Sequence, residues 1–381
     1  MNNKGENIRA AELPRPDKLQ QIEETPESCT MVYSSPETDK ALHNISTATI
    51  NKTLKAYHQL TLDEIGENTI YIENDEGQQL IVEQYNKLTD GLRESAKKLL
   101  VYMTGLFTYQ NNKIQSGGAN LVVKFHIEEY AKICGRDIST PDKRKEFGRA
   151  LNYDIKSIDR LGFWFKHGKS EYSLHISQGG HITTGRGFYG IMFSIPYAEY
   201  LISRNLTTPI PNALFKIDNV NNEAAIAFQL GYYLCEHYNM DSNRENGTHD
   251  IISIKSILKR FSTYFNVAEA ERNRNTQRIQ ANFEKAMYKL EECGIRWEYC
   301  KAKKAISEIP ENFSQFEKAY IHYNILNSPD GTERRKSNAA RRKAATERKR
   351  KAISRSKNAK AKNGTTTENS APAGGDQSGA Q

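Results

Sequence analysis

The sequence predicts an α+β protein made of two tandem copies of one module, with a polar arm before them and a basic tail after. The first observation behind this is the stretch Thr140 to Trp164, which reads as a long helix with a basic start running into a strand. Thr140 suits the helix cap and Pro141 the first helical position. Phe147, Leu151, Ile155, Ile158 and Leu161 recur at intervals of four, four, three and three, which puts them on one helical face. Gly162 then reads as a terminating glycine. The second observation is that the stretch recurs. A shift of 132 positions lays Ile279, Phe283, Met287, Leu290 and Cys293-Gly294 over Phe147, Leu151, Ile155, Ile158 and Leu161-Gly162, as an internal repeat would. The third is charge. The net +8 of the 381-residue chain hides a tail, residues 334–362, with 14 Lys and Arg against one Glu, and a first 90 residues with 8 basic and 16 acidic side chains.

Taken in order, residues 1–64 are acidic, rich in Pro, Ser, Thr, Asn and Glu, and read as a mostly disordered arm. Residues 65–204 form the first module. Asn68 to Glu83 reads as a hairpin around the turn NDEG. Leu92, Ala96, Leu99, Leu100, Met103, Leu106 and Phe107 make the apolar stripe of a helix. Leu121 to Phe125 reads as a short strand and His126 to Cys134 as a short helix. The long helix follows, then strand-like clusters at 163–165, 172–176 and 190–195. The stretch 179–187, GGHITTGRG, reads as the turn at the tip of their hairpin. Residues 205–329 form the second module. TTPIPNA, 207–213, reads as a linker with two prolines. Glu223 to Tyr238 reads as an apolar helix, Ser253 as the cap of a helix reaching Tyr264, and Ala268 to Cys293 as a second long basic helix. Ile295 to Cys300 and Lys318 to Leu326 read as its strands. Residues 330–381 form a low-complexity basic tail without apolar periodicity, expected to be disordered.

A short helix, a turn, a basic helix and a hairpin are the parts of a winged helix, whose third helix enters the major groove while the hairpin touches the backbone. A basic body with a more basic tail favours a polyanionic partner, and nucleic acid is the first candidate. An anionic membrane surface fits less well, because the tail carries almost no large apolar residues to insert. No apolar run approaches a bilayer span, and the start of the chain shows no secretion signal. The five cysteines are widely spaced, with no C-x-x-C pair and no zinc-like set with His, so reduced thiols in a cytoplasm are expected and a metal site is not. No phosphate-loop signature is present: Gly180-x4-Gly185 is followed by Arg186-Gly187, where such a loop needs Lys and then Ser or Thr. No His-apolar-His triplet of the kind used in metal-dependent nicking is present, although a nicking Tyr could hide among 20 tyrosines.

Together, EYAKICG…RALNYDIKSIDRLGFW and KSILKRF…NFEKAMYKLEECGIRW, over residues 65 to 326, resemble the plasmid replication initiator (Rep) proteins of bacteria. The resemblance implies two winged helices binding repeats of double-stranded DNA at a replication origin, host replication proteins as further partners, and a homodimer formed through the first module. It implies no catalytic residues and no cofactor. A transcriptional regulator on the same fold is the alternative, and a relaxase or nuclease with an unrecognised site a further one.

The candidate base-reading residues are Lys143, Arg144, Arg149 and Asn152 in the first long helix and Arg274, Asn275, Gln277 and Arg278 in the second. Arg and Lys suit guanine edges, and Asn and Gln suit adenine edges. Lys145, Lys156, Lys166, Lys169, Arg186 and Arg272 are candidate phosphate contacts, with Arg334, Arg335, Arg341, Arg342, Arg348 and Arg350 of the tail. The competing reading is that each charged run is simply a solvated helix face.

Overall fold

The chain begins its ordered course earlier than its composition suggests. The structure, a computed structural model, describes residues 29–59, 69–85, 88, 91–111, 119–184, 186–204, 206–218, 222–301, 304–305, 310 and 312–325. All of these lie in the unit Met1–Ser328. The expected tail, residues 1–28 and 60–64 of the expected arm, and 65–68 of the expected first module lie outside them. Within the arm, β1 (Cys29–Tyr33), α1 (Pro36–His43) and α2 (Thr47–His58) are regular elements, which corrects the expectation of disorder there. Polar composition hid the pattern: Val32, Tyr33, Ala41, Leu42, Ile45, Ile50 and Leu54 are all buried. Seven such side chains, each contributing about 1.5–3 kcal/mol where large, are enough to order a polar segment.

The hairpin expected next is β2 (Thr69–Glu73) with β3 (Gln79–Glu83). Then come α3 (Glu94–Asn111), β4 (Val122–His126), α4 (Ile127–Ile133) and α5 (Pro141–Ile158). α5 stops before Gly162, which is a strand residue. β5 (Leu161–His167) and β6 (Ser170–His175) pair as a hairpin, and a Cβ on Gly162 would stand 2.9 Å from the Leu174 carbonyl oxygen. So this glycine permits close strand pairing and does not end the helix. β7 (Ser177–Thr183) and β8 (Phe188–Phe193) form a second hairpin, antiparallel with an irregularity between Ser177 and His181. The stretch expected to be a turn from 179 is therefore half strand, and the chain reverses after it, where the Gly187 N–H donates to the Thr184 carbonyl at 3.1 Å. Its two glycines, Gly179 and Gly180, masked the strand, since strand propensity counts against them.

After α6 (Ile195–Arg204) the expected linker is β9 (Thr207–Pro211), followed by a 3-10 turn, Asn212–Lys216. β9 pairs with β1 from Cys29↔Pro211 to Tyr33↔Thr207. Both prolines tolerate this position because the two-stranded sheet makes β9 an edge. Thr208, Ile210, Leu214 and Phe215 are buried, so the chain crosses between the expected modules through the core, not over the surface.

The second half runs α7 (Asn222–Asn239), α8 (Asp241–Glu245), β10 (Ile251–Ser253), α9 (Ile254–Arg260), α10 (Ser262–Phe265), α11 (Val267–Arg272), α12 (Gln277–Glu292), β11 (Ile295–Lys301), β12 (Lys304–Ala305), α13 (Phe313–Lys318) and β13 (Tyr320–Ile325). The long helix expected from Ala268 is broken. Asn273 closes α11, and Arg274 has a left-handed backbone, φ 51°. Asn275 returns its N–H to the Ala270 carbonyl at 2.8 Å.

The strands form four sheets, with orders β1-β9, β2-β3-β5-β6, β4-β8-β7 and β10-β13-β11-β12. The third and fourth share a plan. In each half a long apolar helix, a strand, a short helix, a long polar-faced helix and two further strands follow in sequence, and the last strand takes the middle of the sheet. The elements are α3, β4, α4, α5, β7, β8 and then α7, β10, α9, α12, β11, β13. The hairpin β5–β6 of the first half, which pairs with β2–β3, and α8, α10, α11, β12 and α13 of the second are additional to the plan. α5 lies close on its sheet because Gly148 carries no side chain: a Cβ there would stand 2.8 Å from the Tyr189 hydroxyl.

The halves meet at a buried polar cluster. Asp39 of α1 accepts from the Tyr232 hydroxyl of α7 at 3.3 Å, and His43 bonds Gln229 of α7. Glu94 of α3 accepts from Gln229 at 2.8 Å and from Tyr264 at 3.1 Å, and buried Lys97 donates to Ile45 O and Tyr264 Oη. Arg260 of α9 lies 3.3 Å from Glu236 of α7. Burial first, then Glu236, pushes the Asp39 carboxyl well above the usual range, and burial also raises Glu236 against the opposing Arg260. Burial drives the His43 imidazole down to about 3, so it is neutral. These bonds join three segments of chain and fix one half against the other, although His43 Nε2 and Arg260 Nε are buried without a hydrogen-bond partner.

Candidate nucleic-acid interface

α5 is capped as its sequence suggests. The Thr140 hydroxyl accepts from the Lys143 N–H, and Pro141 opens the helix. Its inner face buries Leu151, Ile155 and Ile158, with Phe147 half-buried. Asp154 lies on the same side, 3.4 Å from Arg93, and burial raises its carboxyl to about 6 against hydrogen bonding by Ser95 and the charge of Arg93.

The basic side chains of α5 divide into two groups. Lys143 pairs with Asp137 and Arg144 with Glu128, both from the approach to the helix, and Lys143 holds the Asp137 carboxyl below its usual range. Lys145, Arg149, Asn152 and Lys156 follow at intervals of four, three and four, one line along the helix on the side opposite the buried residues. Lys145, Arg149 and Lys156 are exposed, and among the described residues no carboxylate pairs with them. Asn152 is half-buried and accepts from the Thr183 hydroxyl of β7 at 3.1 Å. The line and the β7–β8 hairpin are thus tied together. Arg186, exposed in the reversal of that hairpin, is anchored through its backbone: His126 Nε2 lies 3.2 Å from its carbonyl oxygen. Lys166 and Lys169 belong to the other hairpin, β5–β6. Lys166 is 3.1 Å from Glu171 and 5.4 Å from the Trp164 ring, and Lys169 is exposed at the turn.

In the second half, Gln277 and Arg278 occupy the first turn of α12 and are exposed. Arg272 ends α11, while Arg274 and Asn275 stand in the break, exposed, ahead of the helix and not on it. The first turn of α5, 141–144, has no helical counterpart here. α12 buries Ile279, Phe283, Ala286, Met287 and Leu290, the repeat of the α5 face. Outward it carries Ala281, Lys285 and Tyr288, with Tyr288 54% exposed. These three were not among the sequence candidates. The 132-residue shift already held the signal, since it sets Ala281 at Arg149 and Tyr288 at Lys156. The candidates Arg334, Arg335, Arg341, Arg342, Arg348 and Arg350 lie outside the described residues.

The line on α5, with its three cations, can neutralise phosphates, and that on α12 can meet polar or apolar groups. Among the described residues no three His, Cys, Asp or Glu side chains gather as a metal site would need. No described helix is long and apolar enough to cross a membrane. Cys134, Cys235 and Cys293 are buried thiols, and burial raises each. No protein-family model matches the chain, and no curated protein matches it.

Proposed function

We propose that this chain is a sequence-specific, double-stranded DNA-binding protein of the tandem winged-helix type that initiates replication of a plasmid or similar mobile element. The observation that supports it best is the repeated plan. Each half has a strand, a short helix, a long helix and a hairpin, with the last strand central. Each long helix buries one face and turns the opposite one outward. In a winged helix that outward face enters the major groove, and the hairpin meets the adjacent backbone. α5 supplies Lys145, Arg149, Asn152 and Lys156, with Arg186 on the hairpin. α12 supplies Gln277, Arg278, Lys285 and Tyr288. Arg274 and Asn275 precede the helix, where they reach the groove edge.

The initiator role rests on the resemblance to the Rep proteins. With it go binding to origin repeats, recruitment of host replication proteins, a homodimer through the first module and a bacterial cytoplasmic setting. Competition binding tests the reading. A labelled fragment flanking the chain's own gene is challenged with random duplex in salt near 0.15 M. The reading expects the flanking fragment to bind at least about a thousandfold more tightly, as specific sites do. Equal affinities would refute it. Clustered direct repeats in the bound fragment favour the initiator, and inverted repeats alone favour a transcriptional regulator.

A further inference from the structure

The lines that the two long helices turn outward differ in kind. At positions related by the 132-residue shift, α5 carries Lys145, Arg149, Asn152 and Lys156, and α12 carries Gln277, Ala281, Glu284 and Tyr288. The first line is cationic. The second holds an amide, a methyl group, a carboxylate and a phenol. The carboxylate is turned back on the protein, where Glu284 accepts from the Tyr299 hydroxyl at 2.8 Å and from the Gln280 amide at 3.0 Å. Gln277, Ala281 and Tyr288 are left as the outward groups of the line.

A lone exposed aromatic is ordinary on a protein surface. Tyr288 is less ordinary because it is held. Its ring stands edge-on to Trp297, with centroids 5.9 Å apart, and Trp297 packs in turn against Phe283 and Tyr299. A ring fixed in this way has little rotamer freedom left to lose on contact. Ala281 lies on the same line, seven residues before it, and exposed Lys285 stands beside them on the outward face.

Uncharged groups gain nothing from counterion release, which is what phosphate contacts supply. They suit base edges instead. Gln matches the N6 and N7 of adenine, and a methyl group or an aromatic ring matches the 5-methyl of thymine. We propose that Ala281 and Tyr288 are specificity-determining residues of α12 that recognise thymine 5-methyl groups in the major groove, beside an adenine met by Gln277. The proposal rests on the DNA-binding reading above. Seven residues of helix rise about 10 Å, so the two thymines stand about three base-pair steps apart when the helix follows the groove.

The test uses the full-length chain and a duplex that it enriches from a random pool. Each thymine of that duplex is replaced in turn by deoxyuridine, which removes the 5-methyl and keeps every hydrogen-bonding group. Two thymines about three steps apart should each lose about fourfold in affinity on replacement, the worth of one buried methyl. Tyr288→Ser should abolish the thymine-to-uracil ratio at one of them and keep it at the other, and Tyr288→Phe should keep both. The readout is a ratio of two affinities on one preparation, so partial unfolding of a variant does not imitate it. An enriched duplex that binds equally with thymine or uracil throughout, or a Tyr288→Ser chain that retains both ratios, overturns the proposal alone. A pool that yields no enriched duplex refutes the DNA-binding reading, and the proposal falls with it.

Discussion

Arg260→Met should destabilise the fold by about 3–5 kcal/mol near pH 7.5, the usual cost of leaving a buried ion unpaired. Arg260 and Glu236 are 10% and 7% exposed and 3.3 Å apart. At that separation their attraction is about 5 kcal/mol for an effective dielectric near 20, which agrees with the range. The guanidinium also lies 4.0 Å from the centroid of the Tyr233 ring, and methionine keeps much of that packing, so the loss is mainly electrostatic. The pH dependence separates this cause from lost volume. Burial raises the Asp39 and Glu236 carboxyls above their ordinary values, and Arg260 works against the rise in both. Without Arg260 both rise further. A carboxyl raised in the folded state contributes stability that is fully present below its unfolded value and is lost as pH climbs through its folded value. The deficit of the variant should therefore be largest at pH 7.5 and smaller at pH 5.5. Urea unfolding at both pH values measures it. A deficit under 1 kcal/mol at pH 7.5, or one that grows on acidification, would refute the reasoning.

A chain ending at Asp330 lacks the 14 Lys and Arg of residues 334–362. It should keep its preference among duplexes but show a shallower slope of log affinity against log salt in titrations from 50 to 200 mM. An unchanged slope would place the tail off the DNA. Removing residues 1–46 takes away buried Val32, Tyr33, Ala41, Leu42 and Ile45. That chain should lose its cooperative thermal transition in circular dichroism, whereas a dispensable arm would leave the transition in place. Asp154 titrates near 6 because it is buried, so its contribution to stability is complete below about pH 4 and is lost through pH 6. Asp154→Asn should gain up to about 3 kcal/mol relative to the parent between pH 4 and pH 7, read from urea midpoints, and a constant difference would contradict the assignment.

The long helices were legible because each keeps one apolar face for four turns, and a 3.6-residue period survives any tertiary context. Their repeat exposed the shared plan of the two halves for the same reason. The arm was missed because β1 is short and α1 is short and polar, and two of the elements that order them, the strand β9 and Tyr232 of α7, lie more than 150 residues away. β9 read as a linker because two prolines normally punctuate a chain, yet on an edge strand they remove bonds that were never made. β7 was hidden by Gly179 and Gly180. The break before α12 was invisible for a different reason: Arg274 adopts a left-handed backbone that its side chain does not announce. That break is also why Arg274 and Asn275 fall off the helix to which periodicity assigned them. On α5, charge alone could not separate Lys143 and Arg144, which face Asp137 and Glu128, from Lys145 and Arg149, which face outward.

Hydroxyl-radical footprinting of the full-length chain on DNA flanking its own gene tests the central claim most directly, because that claim places two separate DNA-contacting helices in one chain. The parent should protect two adjoining segments. A chain carrying Lys145→Ala and Arg149→Ala should lose one, and a chain carrying Gln277→Ala and Arg278→Ala should lose the other, each at a protein concentration that still protects the remaining segment. No protected segment, or both variants losing the same one, would contradict the account.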